Sequence, residues 1–296
     1  PEGRWKILRF GWSLTGKVNA PASPEATGRE VDKFDRAAVL DYYDNYLSMY
    51  QEASDNALGK VISHIMIDSY EAGCQNWTRN MEREFESRRG YAMRPWMPAL
   101  AGIVIGSADR TERFLSDWRK TLGELIKENH YEAASVALSK YGMKRHTESH
   151  EAYRAFVGDG MDVKRNADIP MSAFWTKTEE YGSYPMSEAD IRESASVAHI
   201  YGQNICAAES FTNRAGRDMK ALSCSPCNLK SYADAAMSSG LNRFIIHCSP
   251  HQPEDNLMPG MSLGPYGQWF TRQETWASEA RAWTDYLSRS CHMLQQ

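Results

Sequence analysis

The chain has 296 residues, a formal net charge of −4 and a pI near 6.1, a length that fits one large α/β domain or two average ones. No Lys/Arg-rich run stands out, so there is no patch to neutralise a phosphate backbone and nucleic acid is not expected as a partner. No run of about 18 apolar residues spans a membrane, and no signal-like apolar segment opens the chain. Its start at Pro1-Glu2-Gly3, without Met, reads as part of a longer protein.

Trp5–Phe10 reads as a short strand and Lys60–Asp68 (KVISHIMID) as a stronger one, rich in β-branched residues. Asn76–Arg89 is polar and helical, with Asn76 placed to cap it. Arg113–Asn129 is the clearest amphipathic helix, because Phe114, Leu115, Trp118, Leu122, Leu125 and Ile126 fall on one face. Lys144–Ser149 forms a strand leading into Glu148, and Ala167–Ile169 a brief one ended by Pro170. Ser187 with Asp190 gives a capping-box-like start to a helix over Glu188–Tyr201. Asn204–Phe211 is a strand, Ser231–Ser239 a helix ended by Gly240, Arg243–Ser249 a buried strand and Gln273–Leu294 a last helix. Strands alternating with helices imply a parallel sheet, closed or doubly wound, and one domain without internal repeats.

Polar residues gather where strands end, which is where barrel enzymes place their chemistry. Ile65–Gly73 runs from an apolar strand into Asp68 and Glu71. Ile205–Phe211 carries a lone Glu209, and Ile245–Pro253 carries His247 and His251. A charge seldom closes a hydrophobic strand unless it lines a cleft or is paired. Two carboxylates on opposite sides of a sugar are the minimal kit for glycoside hydrolysis, one protonated and one ionised. Histidines suit hydroxyl recognition, since a neutral imidazole both donates and accepts. The 9 Trp residues suit sugar platforms as well as large cores. Trp77, Trp175, Trp269 and Trp276 are candidates to shape a pocket, with core packing accounting for at least half of them.

Other chemistries lack their motifs. Cys224-Ser225-Pro226-Cys227 has no second pair at zinc spacing, so the six cysteines read as structural thiols. A zinc site from His247, His251 and a carboxylate lacks a zinc-helix motif. Gly158-Asp159-Gly160 lacks the strand–turn–helix context of a phosphate loop, and no Gly-x-Ser-x-Gly elbow is present.

The chain resembles family 106 of the glycoside hydrolases, the α-L-rhamnosidases. The resemblance is carried by Asn19–Gly28, Met66–Thr78 (MIDSYEAGCQNWT), Pro98–Gly102, Ala198–Gly202, Ala207–Thr212 (AAESFT), Gly240–His251 and Tyr266–Thr271, in the family's order. It implies a (β/α)8 TIM-type barrel, here incomplete at the N-terminal side and without the β-rich accessory domains of longer members. It also implies an inverting, calcium-assisted enzyme that removes rhamnose from polysaccharides or glycosides, secreted or periplasmic. By motif, Glu71 would be the general acid and Glu209 the general base. Asp68, Tyr70, Asn76, Trp77, Glu148, Trp175, His247 and His251 would bind substrate, and Asp68, Glu148 and Asn76 offer oxygens to calcium without fixing its ligand set. One position departs from the family: Asp168–Trp175 reads DIPMSAFW, with Ala173 where a Glu is usual. Glu179 and Glu180 lie nearby but outside that motif. A non-catalytic carbohydrate-binding descendant is the alternative this departure leaves open, and a barrel lacking strands would expose edges that normally pair.

Overall fold

The structure, a computed structural model, describes residues 2–149, 157–176, 185–213, 224–264, 266 and 269–296. The chain divides into two compact units: Pro1–Ser63, Glu71–Lys144 and Ala155–Asp159 form the first, and His64–Tyr70, Arg145–Arg154 and Gly160–Gln296 the second.

The first unit is helical. Helix α1 (Arg36–Ala53) starts where the Asp35 carboxylate accepts the N–H groups of Ala37 and Ala38, satisfying donors that have no partner within the helix. It buries Val39, Tyr43 and Leu47, one residue per turn. Helix α2 (Met81–Arg89) begins later than the sequence suggests: Asn80, not Asn76, precedes it, and no side chain caps it. Helix α3 (Ala108–Ile126) is capped by Ser107 and buries Phe114, Leu122, Leu125 and Ile126, the stripe its periodicity predicts. A π-helical turn over Lys127–Glu132 then leads into α4 (Ala133–Ser139). Gly59, at φ +75°, is tied to this unit by space, since a Cβ there would lie 2.0 Å from the Tyr141 carbonyl oxygen. The strand expected over Trp5–Phe10 is not formed; the segment is irregular, with Trp5 and Ile7 exposed. Alternating apolar residues suit a strand, but a strand also needs a ladder partner.

The second unit is built on five strands: β1 (His64–Ile67), β2 (Lys144–Thr147), β3 (Ile169–Trp175), β4 (Ala207–Thr212) and β5 (Arg243–Ile246). Their spatial order follows their sequence order. β2–β3, β3–β4 and β4–β5 are parallel. The carbonyls of Ser63 and Ile67 accept from the N–H groups of Lys144 and Glu148, the in-step pattern of a parallel pair. A parallel sheet in plain sequential order is singly wound, the order a barrel needs, whereas a doubly wound sheet reverses at a switch point. Only His64–Ile67 of the longer Lys60–Asp68 run joins the sheet, because Lys60 and Val61 turn back onto the Ala57 carbonyl. β3 continues past Pro170, which pairs with Thr147 at the last residue of β2.

Side-chain alternation gives β3–β5 two different faces. Phe174, Ala208, Phe244 and Ile246 pack with Ile191 of α6 (Pro185–Tyr201), Leu229, Ala233 and Ala236 of α7 (Pro226–Ser238), and Trp283 and Leu287 of α8 (Ala280–Leu294). Ile169, Met171 and Ala207 form a separate small cluster with Ile205 and Ile245. We call the helix-covered side the outer face and the other the inner face.

Helix α6 starts at Pro185, ahead of Ser187, and Asp190 answers groups outside its own helix. Its Oδ1 accepts from Lys164 Nζ at 2.8 Å and its Oδ2 from the Ala173 N–H at 2.9 Å. Lys164 closes α5 (Gly160–Lys164), is fully buried, and also meets Glu193 at 2.8 Å and Ser194 at 2.9 Å. Burial alone would pull its ammonium down, but the carboxylates of Asp190 and Glu193 outweigh that and hold it above the ordinary lysine value.

Candidate active site

The carboxylates of the inner face gather towards the C-terminal strand ends, with His247 beside them. Asp68 follows β1, Glu148 follows β2, Glu209 lies within β4 and His247 follows β5. One carboxylate oxygen from each of Asp68, Glu148 and Glu209 lies within 4.8 Å of the other two. Glu148 and Glu209 stand on strands either side of β3, and backbones two strands apart are separated by about 10 Å. Their side chains therefore lean towards each other across β3, where the register sets Ala173 beside Glu209. The methyl group of Ala173 leaves that path open.

Burial differs sharply within the cluster. Asp68 is exposed and accepts the Ser69 N–H at 2.9 Å. Glu148 is buried; its Oε2 accepts the Ser69 hydroxyl, while its Oε1 has no hydrogen-bond partner among the described residues. Burial pushes the Glu148 carboxyl well above the ordinary carboxylate range, the Asp68 charge adds to this, and the Ser69 hydrogen bond opposes it. Three hard oxygen donors with mutual repulsion, one of them desolvated and short of a partner among the described residues, suit a hard cation such as calcium.

Glu209 is held by an irregularity in β4. Ala207, Ala208 and Glu209 pair with Met171, Ser172 and Ala173, but Thr212 pairs with Trp175, so β4 spends three residues where β3 spends two. This is a β-bulge. Its centre is Phe211 at φ +69°, a left-handed conformation that costs an aromatic residue about 1–3 kcal/mol. The extra residue resets the alternation: Phe211 enters the outer-face core, and Thr212 turns to the side of Glu209. The Thr212 hydroxyl donates to Glu209 Oε1 at 2.5 Å. His247 Nδ1 lies 3.0 Å from Thr212 Oγ1 and 3.2 Å from Glu209 Oε1.

Of the residues singled out in the sequence, the structure thus gathers Asp68, Glu148, Glu209 and His247. Tyr70 is buried at the edge of this group, its N–H bonded to the Ser149 carbonyl. Trp175 ends β3, half-buried and edge-on to Tyr266 at 6.0 Å. His251 is exposed in the segment after β5. Glu71 and Asn76 are exposed and Trp77 half-buried, all three in the first compact unit. Trp276 packs edge-on to Phe270 and donates to the Cys224 carbonyl, a core role. Glu179 and Glu180 lie outside the described residues. Among the described residues no group of three His, Cys, Asp or Glu besides Asp68, Glu148 and Glu209 could hold a metal, so a zinc site on His247 and His251 finds no support there. Cys224 is buried and Cys227 exposed.

Thr212 and Ser69 are the polar partners that the sequence alone did not single out. Their only signal is position, each within three residues of a strand-end carboxylate.

A family model described as alpha-L-rhamnosidase, glycoside hydrolase family 106, matches residues 1–296. The chain is 38% identical over all of its 296 residues to a protein of Formosa agariphila named "Putative beta-glucuronidase", of which it covers 24%. The solved structure of a rhamnosidase from Novosphingobium sp. PP1Y superposes with a TM-score of 0.89 at 42% identity, over 96% of this chain and 27% of that one. The chain therefore spans about a quarter of the length of these relatives. It belongs to glycoside hydrolase family 106, the α-L-rhamnosidase family.

Proposed function

We propose that this chain carries the catalytic face of an inverting α-L-rhamnosidase acting on rhamnose-containing polysaccharides or glycosides, on a sheet that forms part of a (β/α)8 barrel. The observation that carries this reading is the convergence of Glu209, His247 and Thr212 beside Asp68 and Glu148 at the C-terminal ends of a singly wound parallel sheet. Glu209 acts as general base: one of its oxygens is fixed by Thr212 and His247, and its carboxylate takes the proton of the attacking water. Glu71, exposed after β1, acts as general acid towards the leaving oxygen. An inverting pair works with its carboxyl groups about 6.5–9.5 Å apart, leaving room for that water.

Calcium fits the donor set. Asp68 and Glu148 would hold it, with Glu148 supplying the buried Oε1 that has no partner among the described residues. When bound, calcium supplies a hard Lewis-acidic contact for the vicinal hydroxyls of rhamnose. Tyr70, Trp175 and His247 would shape the sugar site, with His251 contributing from its exposed position. With the export expected for the family, the enzyme would work outside the cytoplasm.

The test is rhamnose release from an aryl α-L-rhamnoside by the full chain, with and without chelator, with the product anomer read by NMR. Release that inverts the anomeric centre, needs calcium and falls about 10²–10⁴-fold in Glu209→Gln supports the reading. Release of glucuronate instead would move the specificity towards that named for the Formosa relative. Sugar binding without hydrolysis would make the chain a binding descendant, with Ala173 the reason.

A further inference from the structure

The bulge in β4 gives Thr212 a place that ordinary strand geometry would deny it. In a regular strand Glu209 and Thr212 would point to opposite faces, three residues being an odd number of steps. The left-handed turn at Phe211 removes one step, and the Thr212 hydroxyl meets both Glu209 Oε1 and His247 Nδ1. We propose that Thr212 is a positioning residue that aims the Glu209 carboxylate and sets the protonated nitrogen of His247. The proposal rests on reading Glu209 as the base of the glycosidase.

The argument is one of hydrogen count. A threonine hydroxyl has a single proton and donates once. At 2.5 Å that proton goes to the Glu209 carboxylate, which when ionised can only accept. The 3.0 Å contact between the same oxygen and His247 Nδ1 then requires a hydrogen on Nδ1. The direction runs from His247 Nδ1–H to Thr212 Oγ1, and from Thr212 O–H to Glu209 Oε1. The same Nδ1–H faces Glu209 Oε1 at 3.2 Å, so two donors bear on one oxygen and restrain rotation of the carboxylate. Thr212 is buried and Glu209 only partly so, which keeps water from replacing the hydroxyl. Phe211 anchors the turn on the other side. Its ring is stacked on Phe244 at 5.6 Å and edge-on to Phe174 at 5.2 Å, so the apolar core stabilises the left-handed residue that aims Thr212.

Thr212→Val keeps the branched shape and removes the hydroxyl; Thr212→Ser keeps the hydroxyl. On the full chain, Thr212→Val should lower kcat for an aryl rhamnoside about 10- to 100-fold, with KM within about twofold of wild type. Thr212→Ser should restore most of kcat, and both variants should melt close to wild type. Nitrogen-15 NMR of His247 should show Nδ1–H in wild type and Thr212→Ser, and a changed tautomer mixture in Thr212→Val. An unchanged kcat in Thr212→Val, or a His247 signal unmoved by it, would overturn the proposal. If wild type releases no sugar but the His247 signal still shifts in Thr212→Val alone, the glycosidase reading falls while the positioning contact stands.

Discussion

The two faces of β3–β5 are made by the same strands, one residue out of step, and they follow opposite rules. On the outer face the rings of Phe174, Phe211 and Phe244 lie 5.2–6.3 Å apart, against Trp283 and the buried side chains of α7 and α8. On the inner face Glu209 meets Asp68 and Glu148, which follow β1 and β2, within 4.8 Å, and Glu148 is desolvated with an oxygen that has no partner among the described residues. The outer face gains stability from apolar area. The inner face gives some of it up, holding charges that repel in the folded chain and separate in the unfolded one. Phe211 joins the two, since its side chain belongs to one face and its backbone serves the other. Substitutions on the outer face should therefore cost stability, while neutralising substitutions on the inner face should cost function and leave stability equal or higher.

The largest effect expected on stability is at Phe211. Phe211→Ala removes a fully buried ring, and such truncations cost about 3–5 kcal/mol. Chemical denaturation should report that loss as a lower midpoint with little change in slope. Residual activity of the folded fraction should fall too, because the turn that aims Thr212 loses its anchor. Lost stability with full specific activity would mean that the two faces are independent.

How far the sequence shows this division depends on the kind of signal. Asp68, Glu148 and Glu209 were legible because a charge closing an apolar strand is costly without a function, and their convergence follows from parallel strands in sequential order. Helix α3 was legible because its apolar stripe is continuous. Helix α1 was not, since much of its surface is tyrosine: Tyr42, Tyr46 and Tyr50 run along it with rings 6.0 and 4.8 Å apart and blur the polar side. The role of Thr212 was hidden because nothing local marks Phe211 as left-handed; its conformation is imposed by the rings around it. Asp190 looked like a cap by spacing, but it answers Lys164 and the Ala173 N–H, contacts that exist only once α5, α6 and β3 have packed. Trp5–Phe10 has strand-like alternation, and alternation cannot show whether a ladder partner will be there.

A smaller effect, dependent on pH, tests the burial of His146, which pairs with Ile169 and shares its inner face. Burial, with help from His64 and Arg243, lowers the His146 pKa from 6.5 to about 4. The folded imidazole therefore stays neutral where the unfolded one takes a proton. The stability it contributes is complete above about pH 6.5 and is lost as pH falls from there towards 4. A shift of this size is worth at most about 3 kcal/mol. In His146→Gln the wild-type decline in melting temperature across that window should flatten, measured as the difference between the two proteins so that shared carboxylate titrations cancel. Parallel declines would place the acid sensitivity elsewhere.

The smallest expected change has the most informative sign. Glu148 is a buried carboxyl whose pKa is raised by burial and by Asp68, so the folded state holds its proton more tightly than the unfolded one. Its contribution to stability is greatest below the unfolded value near 4.5 and is lost as pH rises towards the folded pKa. Glu148→Gln keeps the shape and removes the charge. In chelator at pH 7 it should melt slightly above wild type, by the equivalent of about 0.5–2 kcal/mol. Added calcium should reverse the ranking, because a cation that binds only the folded state stabilises wild type by mass action and the variant has lost a ligand. If Glu148→Gln melted lower in chelator, the carboxyl would be a net structural support and the inner face would not trade stability for binding. If it melted higher but calcium left both proteins unmoved, the repulsion would stand and the cation assigned to Asp68 and Glu148 would not.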